Sequence, residues 1–246
     1  MCTVAWQSDS EGYSLVFNRD ELRSRSEAEL PRIQKSSAGT AFVAPTDPDG
    51  GGTWIFANVN GLCVCLLNHY TAQSASSGAF RSRGQLLLEL ADVSSAESLE
   101  FRLNQSLSGS RYRSFRLLVL SPGAEPAAFC WNERSLEPES VVARPMMTSS
   151  SFESERIVDQ RQRQFDRMKL LSADDLANYL NASEVMPTAE TVRMSRPDAR
   201  TVSQVCVQLQ ADQLEMKYFR RSDDDCFAAV PDARLSLQLD SELELV

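Results

Sequence analysis

Cys2 directly follows the initiator methionine, and its small side chain permits that methionine's removal. Loss of Met1 is therefore expected. It would place a thiol and a free α-amine, with a reference pKa of about 8, on one residue. Nucleophile and general base then share a chain end, a pairing that needs no imidazole. That suits a chain whose single histidine, His69, excludes any site built on two, including HExxH zinc enzymes. A second polar cluster, Asn18-Arg19-Asp20-Glu21, follows the apolar run Tyr13 to Phe17. If Cys2 to Trp6 and Tyr13 to Phe17 pair as a hairpin, the cluster returns to the sheet end that carries Cys2. A carboxylate there can orient an ammonium group, and Arg19 can hold that carboxylate or an anionic substrate. The plainer alternative is an inert terminal thiol beside a solvated, ion-paired turn.

Other candidates offer less chemistry. Gly50-Gly51-Gly52 lacks the Gly-Lys-Ser/Thr ending of a phosphate loop and reads as a turn feeding the strand at Trp54. Cys63 and Cys65 share one face of an expected strand, but without further ligands nearby they read as small buried hydrophobes. No metal and no other cofactor is expected.

These residues must be positioned by a chain of 246 residues in which 25 Lys+Arg face 34 Asp+Glu, a net charge of −9. Such a balance argues against nucleic acid as a partner, because nonspecific affinity for it comes from basic surfaces. With 42% hydrophobic residues the chain can bury a sizeable core. The densest apolar run, Leu62 to Leu67, is far short of a membrane span. The first residues have neither a basic nor a sufficiently apolar signal segment, so a cytoplasmic location is expected. The six cysteines form no CxxC pair and are expected to be reduced.

Strand-like runs occur at Cys2 to Trp6, Tyr13 to Phe17, Thr40 to Val43, Trp54 to Asn58 and Leu62 to Leu67. Gln85 to Ala91 and a segment starting at a Ser94/Glu97 capping box, with Leu99, Leu103 and Leu107 at four-residue spacing, read as helices. Strands return at Phe115 to Leu120 and Ala127 to Trp131. Ser150/Glu153 and Ser172/Asp175 then mark two helix starts, the first helix with Ile157, Phe165, Met168 and Leu171 as its buried stripe. Glu190 to Met194, Thr201 to Leu209 and Leu214 to Phe219 close the series as strands. Without strict βαβ alternation, this order predicts an α+β fold with mainly antiparallel sheets, in one domain spanning residues 1–246.

The ordered set Cys2-Thr3-Val4, Asn18-Arg19-Asp20-Glu21, Pro31-Arg32, Gly51-Gly52-Thr53-Trp54-Ile55, Asn60-Gly61-Leu62, Cys65-Leu66-Leu67-Asn68 and Ser195 to Ser203 resembles the NRDE family, also called the transport and Golgi organisation protein 2 family, in its short bacterial form. The resemblance implies a four-layer αββα sandwich of the N-terminal nucleophile (Ntn) hydrolase type. It also implies a looser kinship with cysteine enzymes that cleave amides other than peptide bonds, such as bile salt hydrolases and penicillin V acylases. Carried over by residue, Cys2 is the nucleophile, Asp20 contacts the amine, and Asn68 helps form the oxyanion hole. Arg19, Asn18 and His69 are expected to contact substrate.

Thr148-Ser149 stands where those enzymes have Thr-Asn, Phe17 stands where they carry an arginine, and their late arginine falls among Arg156, Arg163 and Arg196. The expected function is hydrolysis of a small-molecule linear amide, with no cofactor and no integral membrane segment. The alternative is a noncatalytic carrier for haem or an acyl lipid, with His69 as the imidazole ligand of haem.

Overall fold

A computed structural model of the protein describes residues 2–70, 79–141, 145–168, 172–181, 186–222 and 227–239. The chain opens with the expected hairpin, β1 (Cys2–Asp9) and β2 (Gly12–Leu22), whose turn is held by the Asp9 carboxylate accepting from Glu11 N and Gly12 N at 2.8 and 3.1 Å. Glycine is required at position 12. A Cβ there would lie 2.1 Å from the Leu209 carbonyl oxygen of a neighbouring strand.

Five further strands follow: β3 (Glu29–Lys35), β4 (Ala41–Thr46), β5 (Ile55–Asn58), β6 (Cys63–Asn68) and, beyond helices α1 (Arg83–Glu89) and α2 (Ala96–Leu107), β7 (Phe115–Leu120). The rest of the chain gives β8 (Ala127–Trp131), β9 (Leu136–Glu139), β10 (Met146–Ser149), α3 (Ser154–Asp166), α4 (Ala173–Asn181), β11 (Ala199–Gln210), β12 (Gln213–Arg220) and β13 (Ala233–Gln238). The first sheet runs β10-β1-β2-β11-β12-β13, and the second runs from β3 to β9 in chain order. Every strand pairing is antiparallel.

Three apolar layers bind these parts. Between the sheets, Val4, Trp6, Leu15 and Phe17 meet Ile55, Cys63, Cys65 and Leu67. Outside the second sheet, Phe56, Val64 and Leu117 pack on Leu86, Leu99 and Leu103 of α1 and α2. Outside the first, Ala5 and Val16 pack on Phe165, Leu176 and Leu180 of α3 and α4. Each fully buried large side chain contributes about 1.5–3 kcal/mol. The inner layer also fixes strand register, since a one-residue slip would turn Trp6, Phe17 and the catalytic candidates to the other face.

Several local expectations need correction. The capping box of α2 is Ser95/Ser98 rather than Ser94/Glu97: Ser98 N donates to Ser95 Oγ at 3.1 Å and Ser95 N to Ser98 Oγ at 3.0 Å. Helix α3 has Glu153 in left-handed conformation as its cap, while Ser150 binds Phe152 instead. Ser172 does cap α4, accepting from Asp175 N at 3.1 Å.

Glu190 to Met194 is irregular rather than a strand, because Thr191 Oγ1 donates to the Arg193 carbonyl and competes with sheet pairing. Met168 is exposed, and Leu171 lies outside the described residues. The sequence pattern misses β3, β9, β10 and β13. Of these, β3 and β9 carry Pro31 and Pro138, which are tolerated because both strands lie at sheet edges. Among the described residues no helix is long and apolar enough to cross a membrane.

Candidate active site

A cleft of about 300 Å³ opens at the strand ends where β1 begins, lined by Cys2, Arg19 and Asp20 of the first sheet and Asn68 of the second. The hairpin accounts for the first three. Cys2 is the β1 partner of Arg19, so their side chains share the face toward the second sheet. Asp20 lies one residue past that last pair, flanking the amino side of Cys2. On its other edge Cys2 pairs with Ser149 of β10, whose Oγ accepts from Cys2 N at 3.1 Å.

Burial pushes the Cys2 thiol above its ordinary pKa and the Asp20 charge adds to the rise, against the terminal ammonium charge, the Asp20 backbone N–H and Arg19. The resting group is a thiol, and a thiol needs a proton acceptor before it can act as a nucleophile.

Asp20 is buried and tightly held. Its Oδ1 accepts from Thr201 Oγ1 at 2.6 Å, and its Oδ2 lies 3.7 Å from Arg161 of α3. Burial raises the Asp20 pKa, opposed by Arg161, Thr201 and Arg221, and burial lowers that of Arg161, opposed by Asp20. For both partners desolvation outweighs attraction, as in many buried ion pairs. Arg161 also donates to Thr3 Oγ1 (3.1 Å), Thr148 Oγ1 (3.0 Å) and the Ala189 carbonyl (3.1 Å). It therefore ties α3 to β1 and β10 at the amino end of the cleft.

Arg161 was not among the expected arginines. Arg156 pairs with Glu153 and Glu190, Arg163 with Asp159, and Arg196 with Asp198. The signal lay in the α3 stripe: Arg161 sits four residues after Ile157 and four before Phe165, a charge on an otherwise apolar face. Nor does Arg19 hold Asp20. It pairs with Glu21 at 3.1 Å and Asp47 at 3.8 Å, with its guanidinium 4.4 Å over the Trp54 ring.

Asn68 ends β6 on the cleft wall, its Nδ2 donating to Tyr70 Oη at 2.9 Å. Two expected substrate contacts lie elsewhere. Asn18 faces the helix layer, donating to the Leu180 and Val192 carbonyls at 2.7 and 3.1 Å and accepting from Gln204 Nε2 at 3.0 Å. It is fully buried, and its parity on β2 is opposite to that of Arg19. His69 is half-buried and does not line the cleft; burial and then Arg116 lower its pKa, against Glu139. That position leaves the haem alternative without an imidazole in the cleft. Among the described residues no cluster of His, Cys, Asp and Glu could hold a metal.

The glycine-rich turn shapes the cleft rim. Gly52 packs so closely on α1 that a Cβ there would lie 2.3 Å from Gly84 C, and Thr53 N donates to Gly84 O at 3.1 Å. Ser82, Arg83 and Gly84 thereby join the cleft lining. Met1 and Cys226 lie outside the described residues; the five described cysteines are free thiols.

The fold is shared with several solved structures. A C2A variant of conjugated bile acid hydrolase from Clostridium perfringens is 12% identical, with a TM-score of 0.52 over 97% of this chain and 92% of that one. Penicillin V acylase from Agrobacterium tumefaciens is 10% identical, with a TM-score of 0.52 over 97% and 86%. The Caenorhabditis elegans ortholog of N-acylethanolamine-hydrolyzing acid amidase is 12% identical, with a TM-score of 0.51 over 84% and 92%. These likenesses bear out the expected four-layer αββα sandwich of the Ntn-hydrolase type. No match is found among curated proteins. The sequence model of one family, Transport and Golgi organisation 2 (TANGO2), matches residues 1–222, and this chain belongs to that family.

Proposed function

We propose that the protein is an N-terminal cysteine nucleophile hydrolase of a linear amide other than a peptide bond. The observation that carries this is the convergence of Cys2, Asp20 and Asn68, from separate elements, on one cleft. The fold shared with a bile acid hydrolase, a penicillin V acylase and an acid amidase supports the same reaction class.

After removal of Met1, the α-amine of Cys2 takes the thiol proton as Sγ attacks the amide carbon. Asp20 orients the resulting ammonium, with Ser149 Oγ beside the same nitrogen. The Asn68 amide turns from Tyr70 to the developing oxyanion. The C–N bond then breaks with proton transfer to the leaving amine, and water hydrolyses the thioester, regenerating the thiol.

The test is intact mass spectrometry of the natively expressed chain together with amine release from a panel of fluorogenic N-acyl amides. A mature chain lacking Met1, and turnover abolished in Cys2→Ala, are the expected results. Retention of Met1 in a turning-over enzyme, or turnover by Cys2→Ala, would overturn the mechanism.

A further inference from the structure

The chain is acidic overall, yet its cleft wall carries five arginines (Arg19, Arg25, Arg81, Arg83 and Arg113) against three carboxylates. Four of the five have carboxylate partners: Glu21 for Arg19, Asp47 for Arg25, Glu89 for Arg81 and Glu133 for Arg113. Arg83 differs. Among the described residues no carboxylate pairs with it, and its one hydrogen bond runs from Nη1 to the Ser114 carbonyl at 2.9 Å. The side chain is partly buried, with Tyr70, Cys2, Arg113 and the Glu133 carboxylate, itself paired to Arg113, within its electrostatic reach. A guanidinium stays charged at neutral pH and presents a planar fork that matches a carboxylate. The N–H groups not used by that carbonyl can donate to an arriving anion as short, charge-assisted bonds.

We propose that Arg83 seats a carboxylate of the substrate, so that the amide cleaved at Cys2 carries a negative group close to the scissile bond. This deepens the hydrolase reading above and rests on it. Arg83 acts by binding, not by proton transfer. Its charge opposes, at this wall, the repulsion that a net charge of −9 imposes on anions.

The test uses two alkylating agents of nearly equal size on the full-length chain, with the modified cysteine identified by peptide mass. Iodoacetate carries the carboxylate, and iodoacetamide does not. At Cys2 the iodoacetate-to-iodoacetamide rate ratio should exceed that at an unstructured cysteine peptide. Arg83→Gln should lower the iodoacetate rate about tenfold, the scale of one charge-assisted bond, with the iodoacetamide rate within about twofold. Arg83→Lys should recover part of the loss.

A second measurement needs no variant. N-acetylglycine should protect wild-type Cys2 from iodoacetamide, and N-acetylglycinamide should not. An unchanged ratio in folded Arg83→Gln, or equal protection by the two acetyl compounds, would overturn the carboxylate seat and leave the nucleophile standing. Failure of both reagents to modify Cys2 in the folded chain would remove the nucleophile itself, and this inference with it.

Discussion

Replacing Arg161 with methionine removes the guanidinium that faces the buried Asp20 carboxylate, and the size of the effect follows from the geometry. Both side chains are fully buried and stand 3.7 Å apart. At an effective dielectric of about 20, a pair at that distance attracts by about 4 kcal/mol. Removing one partner from a buried pair costs about 3–5 kcal/mol. The Ala189 carbonyl also loses its donor, whereas Thr3 and Thr148 keep their mutual 2.7 Å bond. For a chain of this length the melting temperature should fall by roughly 6–20 °C at pH 7.5.

The loss should depend on pH. Burial already raises the Asp20 carboxyl above the usual range, and loss of Arg161 raises it further. Between the ordinary carboxyl value and the raised one, the folded chain binds more protons than the unfolded chain, so the variant's stability falls as pH rises through that window. The deficit should therefore shrink as the pH is lowered toward 4. Adding Asp20→Asn should restore part of the stability, because the buried charge is then removed along with its counter-charge. Urea and thermal unfolding of wild type, both single variants and the double variant, at pH 7.5 and pH 5, measure all of this. An Arg161→Met deficit that is absent, or that ignores both pH and Asp20→Asn, would refute the assignment.

Asn68→Ala should remain folded and lose about 10²–10³ in kcat with little change in KM, as expected for a donor used mainly in the transition state; unchanged kcat removes it from the site. The rate of Cys2 modification by iodoacetamide should climb with pH and reach half its plateau above the ordinary thiol value of about 8.5, because burial and Asp20 hold the proton on. A plateau already reached at pH 7 would contradict that burial effect. Gly52→Ala should destabilise the protein by about 1–3 kcal/mol, since the added methyl meets the α1 backbone rather than a movable side chain; an unfolding midpoint equal to wild type would show that the rim yields.

Continuous apolar runs announced the strands that are buried on both faces. Phe115–Leu120 and Ala127–Trp131 match their expected bounds, and the first hairpin extends past its expected one. The same criterion misses β10, whose four residues Met146–Ser149 are too short and half polar to show periodicity. That omission matters chemically, because β10 supplies the Ser149 hydroxyl beside Cys2. Asn18 illustrates the opposite error: adjacency in a motif placed it with Arg19, yet strand alternation sends neighbours to opposite faces. Arg161 was hidden because an apolar stripe was read by its hydrophobic members alone, and the partner that makes a buried arginine tolerable, Asp20, lies over a hundred residues earlier in the chain.

In the proposed mechanism the buried pair and the raised thiol act together. Burial opposes the charge at both Asp20 and Arg161, and replacing a buried ion pair by apolar residues is often neutral or stabilising. Electrostatic stability alone therefore gives little reason for charges at this point of the fold. Their placement does: Arg161 and Thr201 fix a carboxylate at the amino side of Cys2, where an ammonium would form when the thiol gives up its proton. Cys2 is held as a thiol by the same burial. In the proposed mechanism its proton passes to the α-amine beside it, and the Asp20 charge that disfavours a lone thiolate would favour a thiolate accompanied by that ammonium.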